Sequence, residues 1–138
     1  MSTPSGLGHY TSVSAYGAAA DADPVQLILQ LMNGAVDRIV TAKGCIQRRD
    51  TAAKGRELGR AVAIIDALRA SLDMEKGGTI AMNLEALYDY MNRRLLEGNA
   101  KDDVRCLDEV IELMGEIRSG WQEITRSRAA RATADSAA

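Results

Sequence analysis

Residues able to carry out catalysis or to bind a metal are scarce in this sequence. It contains one histidine, His9, and two cysteines, Cys45 and Cys106, which lack the CxxC spacing of zinc and redox motifs. A single histidine in a segment rich in serine and glycine supplies neither a multi-histidine metal site nor a Ser-His-Asp triad inside the fold. The phosphate-binding patterns GxGxxG and GxxxxGKS/T are both absent. We therefore expect no catalytic, cofactor or metal site, and a protein that is not an enzyme.

One dense group of polar and aromatic residues could still suggest a reaction centre. It comprises Tyr88, Asp89, Tyr90, Arg93 and Arg94. Asp89 and Arg93 are four residues apart, which on a helix makes them an ion pair, and the tyrosines flank the face that packs. We interpret this cluster as structural.

Charge is distributed unevenly along a chain whose formal net charge is only −2. Residues 37–60 contain seven Lys/Arg and three acids, a net +4, whereas residues 102–123 contain seven acids against Arg105 and Arg118. The balance favours a solvated basic face, because nucleic-acid-binding modules are usually basic overall and carry recognition motifs. The alternative function is a nucleic-acid-binding or regulatory module that uses the basic 38–60 region, including Arg48, Arg49, Lys54, Arg56 and Arg60.

The number and positions of the prolines indicate which type of secondary structure holds these residues. The 138 residues contain two prolines, Pro4 and Pro24, where average usage gives roughly seven. A chain of this length forms one domain around one core, and 114 residues without proline favour an all-α domain. Asp23 and Pro24 are typical of a helix start. Apolar residues then recur at helical spacing, which predicts four helices, over 24–46, 51–72, 79–97 and 102–125.

Short connections between long helices predict an antiparallel up-down-up-down four-helix bundle. We divide the chain into a flexible N-terminal leader or lid, a bundle and a disordered tail, at 1–22, 23–125 and 126–138. No segment approaches the ~20 apolar residues of a membrane span, and the N-terminus lacks a signal-peptide pattern. These features predict a cytoplasmic protein that does not insert into membranes.

Two helices carry more apolar surface than one buried face requires. Leu27 and Leu31 widen the stripe of the first helix to roughly 220°, when a surface helix needs little more than ~100°. Leu113, Ile117 and Ile124 widen that of the fourth. The first and fourth helices are neighbours in such a bundle, so these residues could line a groove for a partner helix. They could equally be deeply buried, or be covered by Leu7 and Tyr10 of the leader.

Residues 72–99 read LDMEKGGTIAMNLEALYDYMNRRLLEGN. This long run is similar to the flagellar secretion chaperone FliS family. Leu7 and Tyr10, the start of the first helix over 24–35, and the pattern at 109–124 agree with the family in order and spacing. Asp23 stands where the family usually has serine, and Met32-Asn33 replaces an aromatic-Asp pair.

The resemblance implies a cytosolic, non-enzymatic chaperone without cofactor. Its expected partners are the disordered C-terminal segment of flagellin, kept from polymerising and competent for flagellar type III secretion, and the export-gate protein, at which Leu7 and Tyr10 are implicated. We expect no nucleic-acid partner and a monomer or weak homodimer. The expected partner-binding residues are Leu7, Tyr10, Leu27, Leu31, Leu113, Ile117, Trp121 and Ile124. Trp121 could be a core anchor or a groove wall.

Overall fold

The computed structural model describes residues 24–137, which form four helices and no strand. The helices are α1 Pro24–Gln47, α2 Thr51–Ala70, α3 Met74–Lys101 and α4 Val104–Ala137. None of the described helices combines the length and apolarity needed to cross a bilayer. The all-α prediction is confirmed.

Each helix packs against two others. The packed pairs are α1 with α2, α2 with α3, α3 with α4, and α1 with α4, which is the closed ring of an antiparallel four-helix bundle. All four helices contribute to the core, whose largest fully buried side chains are Met32, Ile39, Ile65, Leu68, Met91, Leu95, Leu107 and Met114. The predicted topology, with α1 and α4 as neighbours, is confirmed.

Helix α3 begins earlier than its predicted start at Thr79. Asp73 caps it, accepting a hydrogen bond from the backbone N–H of Lys76 at 3.0 Å, so a helical turn forms from Met74 onward. The Gly77-Gly78 pair has the composition of a helix stop, yet here it produces a kink within α3. Gly78 has φ 51° and ψ −129°, a conformation that glycine alone adopts readily.

Helix α4 continues to Ala137, beyond the predicted boundary at residue 125. This differs from the disordered tail expected for 126–138. The apolar stripe does end at Ile124, and the described side chains from Arg126 to Asp135 are all exposed. Alanine and arginine have high helix propensity, which extends the helix without tertiary packing.

A buried lysine stabilises the end of the bundle where the α1–α2 and α3–α4 turns lie. The Lys54 Nζ atom donates to the Asn99 carbonyl oxygen at 2.9 Å and to Asp102 Oδ1 at 2.6 Å. The Lys54 side chain is nearly inaccessible to solvent, and these bonds satisfy its charge. They tie the start of α2 to the turn between α3 and α4.

Candidate functional site

Exposed apolar side chains gather at the opposite end of the bundle. There α1 begins, α2 turns into α3, and α4 passes through residues 117–124; we call this the open end. Four of the six large apolar side chains that are exposed in the described residues belong to it: Met74, Ile80, Met82 and Ile124. Ile80 is 72% exposed and Met82 61%. Since such side chains favour burial, this end is the part of the molecule best suited to binding a partner.

One carboxylate shows how α3 and α4 are aligned. Glu109 accepts hydrogen bonds from Tyr90 Oη at 2.7 Å and from Arg94 Nε at 2.6 Å. The helices are antiparallel, so Ile80, fourteen residues before Arg94, lies level with about residue 123 of α4. Leu87 is three residues before Tyr90 and shares its face of α3.

On α4 the same face continues from Glu109 towards the open end. Leu113 and Ile117 follow one and two turns later, both half-buried and packed against the core, and Ile124 is 47% exposed. We call the surface formed by Ile80, Leu87, Leu113, Ile117 and Ile124 the α3–α4 cleft. At one end it is bounded by Glu109, Tyr90 and Arg94, which we call the Glu109 cluster. At its other end it joins the open end.

The Glu109 cluster is held by charge. Hydrogen bonds from Tyr90 and then Arg94 lower the pKa of Glu109, and the bond to Glu109 raises the pKa of Tyr90. Arg94 also donates to Glu97 at 2.8 Å, and the pKa of Glu97 is lowered mainly by its hydrogen bond from Lys101. These groups hold α3 and α4 together at one end of the cleft.

The structural interpretation of the tyrosine–arginine cluster agrees with these contacts. Asp89 accepts a hydrogen bond from Arg93 at 3.1 Å, as their spacing predicted, and the Arg93 guanidinium lies 5.8 Å from the centroid of the Tyr90 ring. Tyr88 is buried, and that burial raises its pKa to about 12. Glu109 on α4 accepts hydrogen bonds from two residues of this cluster, and its part in the cluster was not predicted.

The cluster makes stability depend on pH in the acid range. Because the pKa of Glu109 is lower in the folded chain than its ordinary 4.5, its stabilising effect is complete above that value and is lost as pH falls through the folded pKa. We expect Glu109→Gln to lower the melting temperature at pH 7, and the difference from the wild type to shrink progressively as pH falls below 4.5. Circular dichroism melts from pH 7 to 3 measure this.

Glu112→Gln is the matched control, because Glu112 is exposed and makes no hydrogen bond or ion pair within residues 24–137. Its melting temperature should stay within about 1–2 °C of the wild type. A pH-independent loss in Glu109→Gln would contradict the ionic origin of the effect.

The predicted residues of α1 lie elsewhere. Arg38 donates to Glu57 of α2 at 3.2 Å, and Leu31, seven residues earlier, shares that face, with Leu27 one further turn away. Both leucines are half-buried. The seam between α1 and α4 is instead marked by Arg118–Asn33 and Lys43–Asp108 contacts, each 2.8 Å. The structure therefore groups Leu113, Ile117 and Ile124, but places Leu27 and Leu31 on the α2 side of α1.

Trp121 is half-buried and packs against the core. Its indole Nε1 is buried and has no hydrogen-bond acceptor among residues 24–137. Buried indole N–H groups usually have an acceptor, so this donor is a polar feature that the described residues leave unsatisfied. Leu7 and Tyr10 lie outside the described residues.

The helical spacing of apolar residues over 79–97 predicts that Ile80 belongs to the stripe that packs, but Ile80 is 72% exposed, which corrects that prediction. Its helical position does point it to the same side as Leu84 and Leu87, but none of the four described helices covers it at the open end. Met74 and Met82 were also missed. The only sequence signal was their position around Gly77-Gly78, where the helix is interrupted.

The described residues contain no group of three or more His, Cys, Asp or Glu side chains able to hold a metal. Cys45 and Cys106 are both buried, and burial raises the pKa of the Cys106 thiol, which opposes formation of the reactive thiolate. What the described surface offers is apolar area for contact.

A four-helix bundle whose described residues expose apolar side chains at one end and form no metal site has the features of a helical interaction domain. Comparison with known sequences is specific: the family described as "Flagellar protein FliS" matches residues 8–128. The chain belongs to the FliS family.

Similar proteins occur in several bacteria. The flagellar secretion chaperone FliS of Salmonella typhimurium is 44% identical over 91% of this chain and 93% of its own. FliSB of Pseudomonas aeruginosa is 42% identical over 86% and 94%, and FliS of Bacillus subtilis is 33% identical over 77% and 78%. The family resemblance inferred from residues 72–99 is confirmed.

Proposed function

We propose that this protein is a cytosolic flagellar secretion chaperone that binds the disordered C-terminal segment of flagellin. It prevents premature polymerisation and keeps flagellin competent for flagellar type III secretion. The observation that carries the proposal is the exposed apolar surface of the α3–α4 cleft and open end, in a chain of the FliS family. The protein acts by binding, without catalysis and without a cofactor.

The physical requirement is a large apolar surface. A disordered segment that folds on binding loses conformational entropy worth several kcal/mol, which burial of apolar area must offset. A client helix laid along the cleft would cover Ile80, Leu113, Ile117 and Ile124. A client that continues around the open end would reach Leu27 and Leu31, and would provide a carbonyl for Trp121.

The leader completes the proposal as a lid. Tyr10 lies fourteen residues before Pro24, and an extended chain of that length spans up to about 46 Å, which exceeds the width of the bundle. Leu7 and Tyr10 can thus reach the open end and cover it until the client arrives. Once displaced, they become available to the export-gate protein.

The test is binding of the flagellin C-terminal segment from the same organism to the full chain. We expect a one-to-one complex by calorimetry and size exclusion, with a negative heat-capacity change from apolar burial. The flagellin N-terminal segment is the control and should not bind. Equal binding of both segments, or of neither, would refute the proposal.

A further inference from the structure

The basic region over residues 38–60 does not serve the function just described, and the structure divides its charges into two groups. Its two lysines are neutralised within the bundle: Lys43 by Asp108 and Lys54 by Asp102. The five arginines remain on the surface. We call them the arginine face: Arg38, Arg48, Arg49, Arg56 and Arg60.

Few carboxylates balance this face. Glu57 alone serves both Arg38, at 3.2 Å, and Arg60, at 3.3 Å. Arg48 contacts only the Cys45 sulfur, at 3.7 Å, and Arg49 and Arg56 have no carboxylate within 4 Å among residues 24–137. The arginine face therefore retains uncompensated positive charge.

The left-handed backbone conformation of Arg49 lowers the stability of the folded protein. The Asp50 N–H donates to the Cys45 carbonyl at 2.8 Å and the Arg49 N–H donates to that of Ile46 at 3.1 Å, the two bonds of a Schellman motif. Arg49 is its left-handed residue, with φ 61°, where glycine is favoured. A strained arginine in the centre of a basic surface indicates that its side chain has a use.

We propose that the arginine face docks an acidic segment of a partner protein. Arginine forms paired hydrogen bonds with carboxylates. From Arg49 to Arg60 the face extends about 16 Å along α2, the length of roughly five extended residues. It begins at the turn opposite the open end and reaches Arg60, which is still about 15 Å from the end of α2 at Ala70, so the acidic segment and the client can bind together.

Two observations favour an acidic peptide over nucleic acid. Residues 102–123 carry a net −5, which repels a long polyanion from a molecule this small. No aromatic residue occurs between positions 38 and 60 on which a base could stack.

Fluorescence anisotropy of the full chain with a labelled octaglutamate peptide in 50 mM salt tests the docking surface. The triple variant Arg48→Gln/Arg49→Gly/Arg56→Gln should lose at least tenfold in affinity. Its control, Arg126→Gln/Arg128→Gln/Arg131→Gln, removes the same charge from the far end of α4 and should change affinity less than twofold. The single variant Arg49→Gly should bind more weakly yet melt roughly 2–4 °C higher, because the left-handed strain is relieved.

Three results would overturn the proposal. One is the absence of octaglutamate binding to the wild type, and another is an equal loss in both triple variants, which would show an effect of net charge alone. The third is tighter binding of a labelled twenty-nucleotide oligothymidylate that the arginine-face variant abolishes, which would assign the face to nucleic acid.

Discussion

Replacing Gly98 by alanine should lower the melting temperature by roughly 5–10 °C, corresponding to about 2 kcal/mol of the free energy of unfolding. A methyl group at this position of α3 would lie 2.5 Å from Leu107 Cδ1 and 3.0 Å from Cys106 Cβ. Leu107 and Cys106 are fully buried, so neither side chain can move aside without disturbing the core.

Backbone atoms near Gly98 further limit how the structure could accommodate the added methyl group. The added methyl would also lie 3.2 Å from the Asp103 carbonyl oxygen, and the Gly98 carbonyl itself accepts the Asp103 N–H at 3.0 Å at the end of α3. Close approach of α3 and α4 at this point therefore depends on the missing side chain. Thermal unfolding followed by circular dichroism gives the measurement.

Gly59→Ala is the matched control in the interior of α2. Nothing lies within 4 Å of the added methyl group, so only helix propensity changes. Alanine should then stabilise the protein by about 0.5–1 kcal/mol. If both variants shifted the melting temperature in the same direction, the steric account of Gly98 would be wrong.

Most of the architecture followed from local signals. Pro24 at the start of α1 and the absence of later prolines were enough to predict long helices, and the short connections implied their antiparallel order. The start of α3 was missed because Gly77-Gly78 has the composition of a helix stop, while Asp73 nucleates a turn before it. The extent of α4 was missed because its end has helix propensity but no apolar stripe.

The candidate site was predictable only in part. The width of the apolar arcs drew attention to Leu113, Ile117 and Ile124, of which the structure leaves the first two half-buried and Ile124 exposed, and their part in binding stays a prediction. Which neighbouring helix an apolar arc faces depends on contacts between helices, such as Arg94–Glu109 and Arg38–Glu57. These contacts join residues that are distant in sequence, so the sequence pattern does not reveal them. Helical periodicity likewise gives the direction of Ile80, but not whether another helix covers it.

The proposed flagellin site is tested most sharply at Ile80. Ile80→Asp should weaken binding of the flagellin C-terminal segment at least tenfold, because burying this side chain would contribute roughly 1.5–3 kcal/mol and a carboxylate would oppose it. Ile80 is already 72% exposed, so the free protein should melt within about 2 °C of the wild type. Ile117 is less suitable, since it packs against the core and its replacement would also affect the fold.

Leu96→Asp supplies the control on the same helix. Leu96 is 69% exposed, nearly the same as Ile80, but it lies near the end of α3 opposite the open end, so a client in the α3–α4 cleft would not reach it. Calorimetric titration of both variants should show a loss for Ile80→Asp and wild-type affinity for Leu96→Asp. Equal losses would mean that exposed apolar area on α3 binds the client without a defined site. If Ile80→Asp bound with wild-type affinity, the open end would not belong to the binding surface. The α2 side of α1, with Leu27 and Leu31, would then be the surface to test.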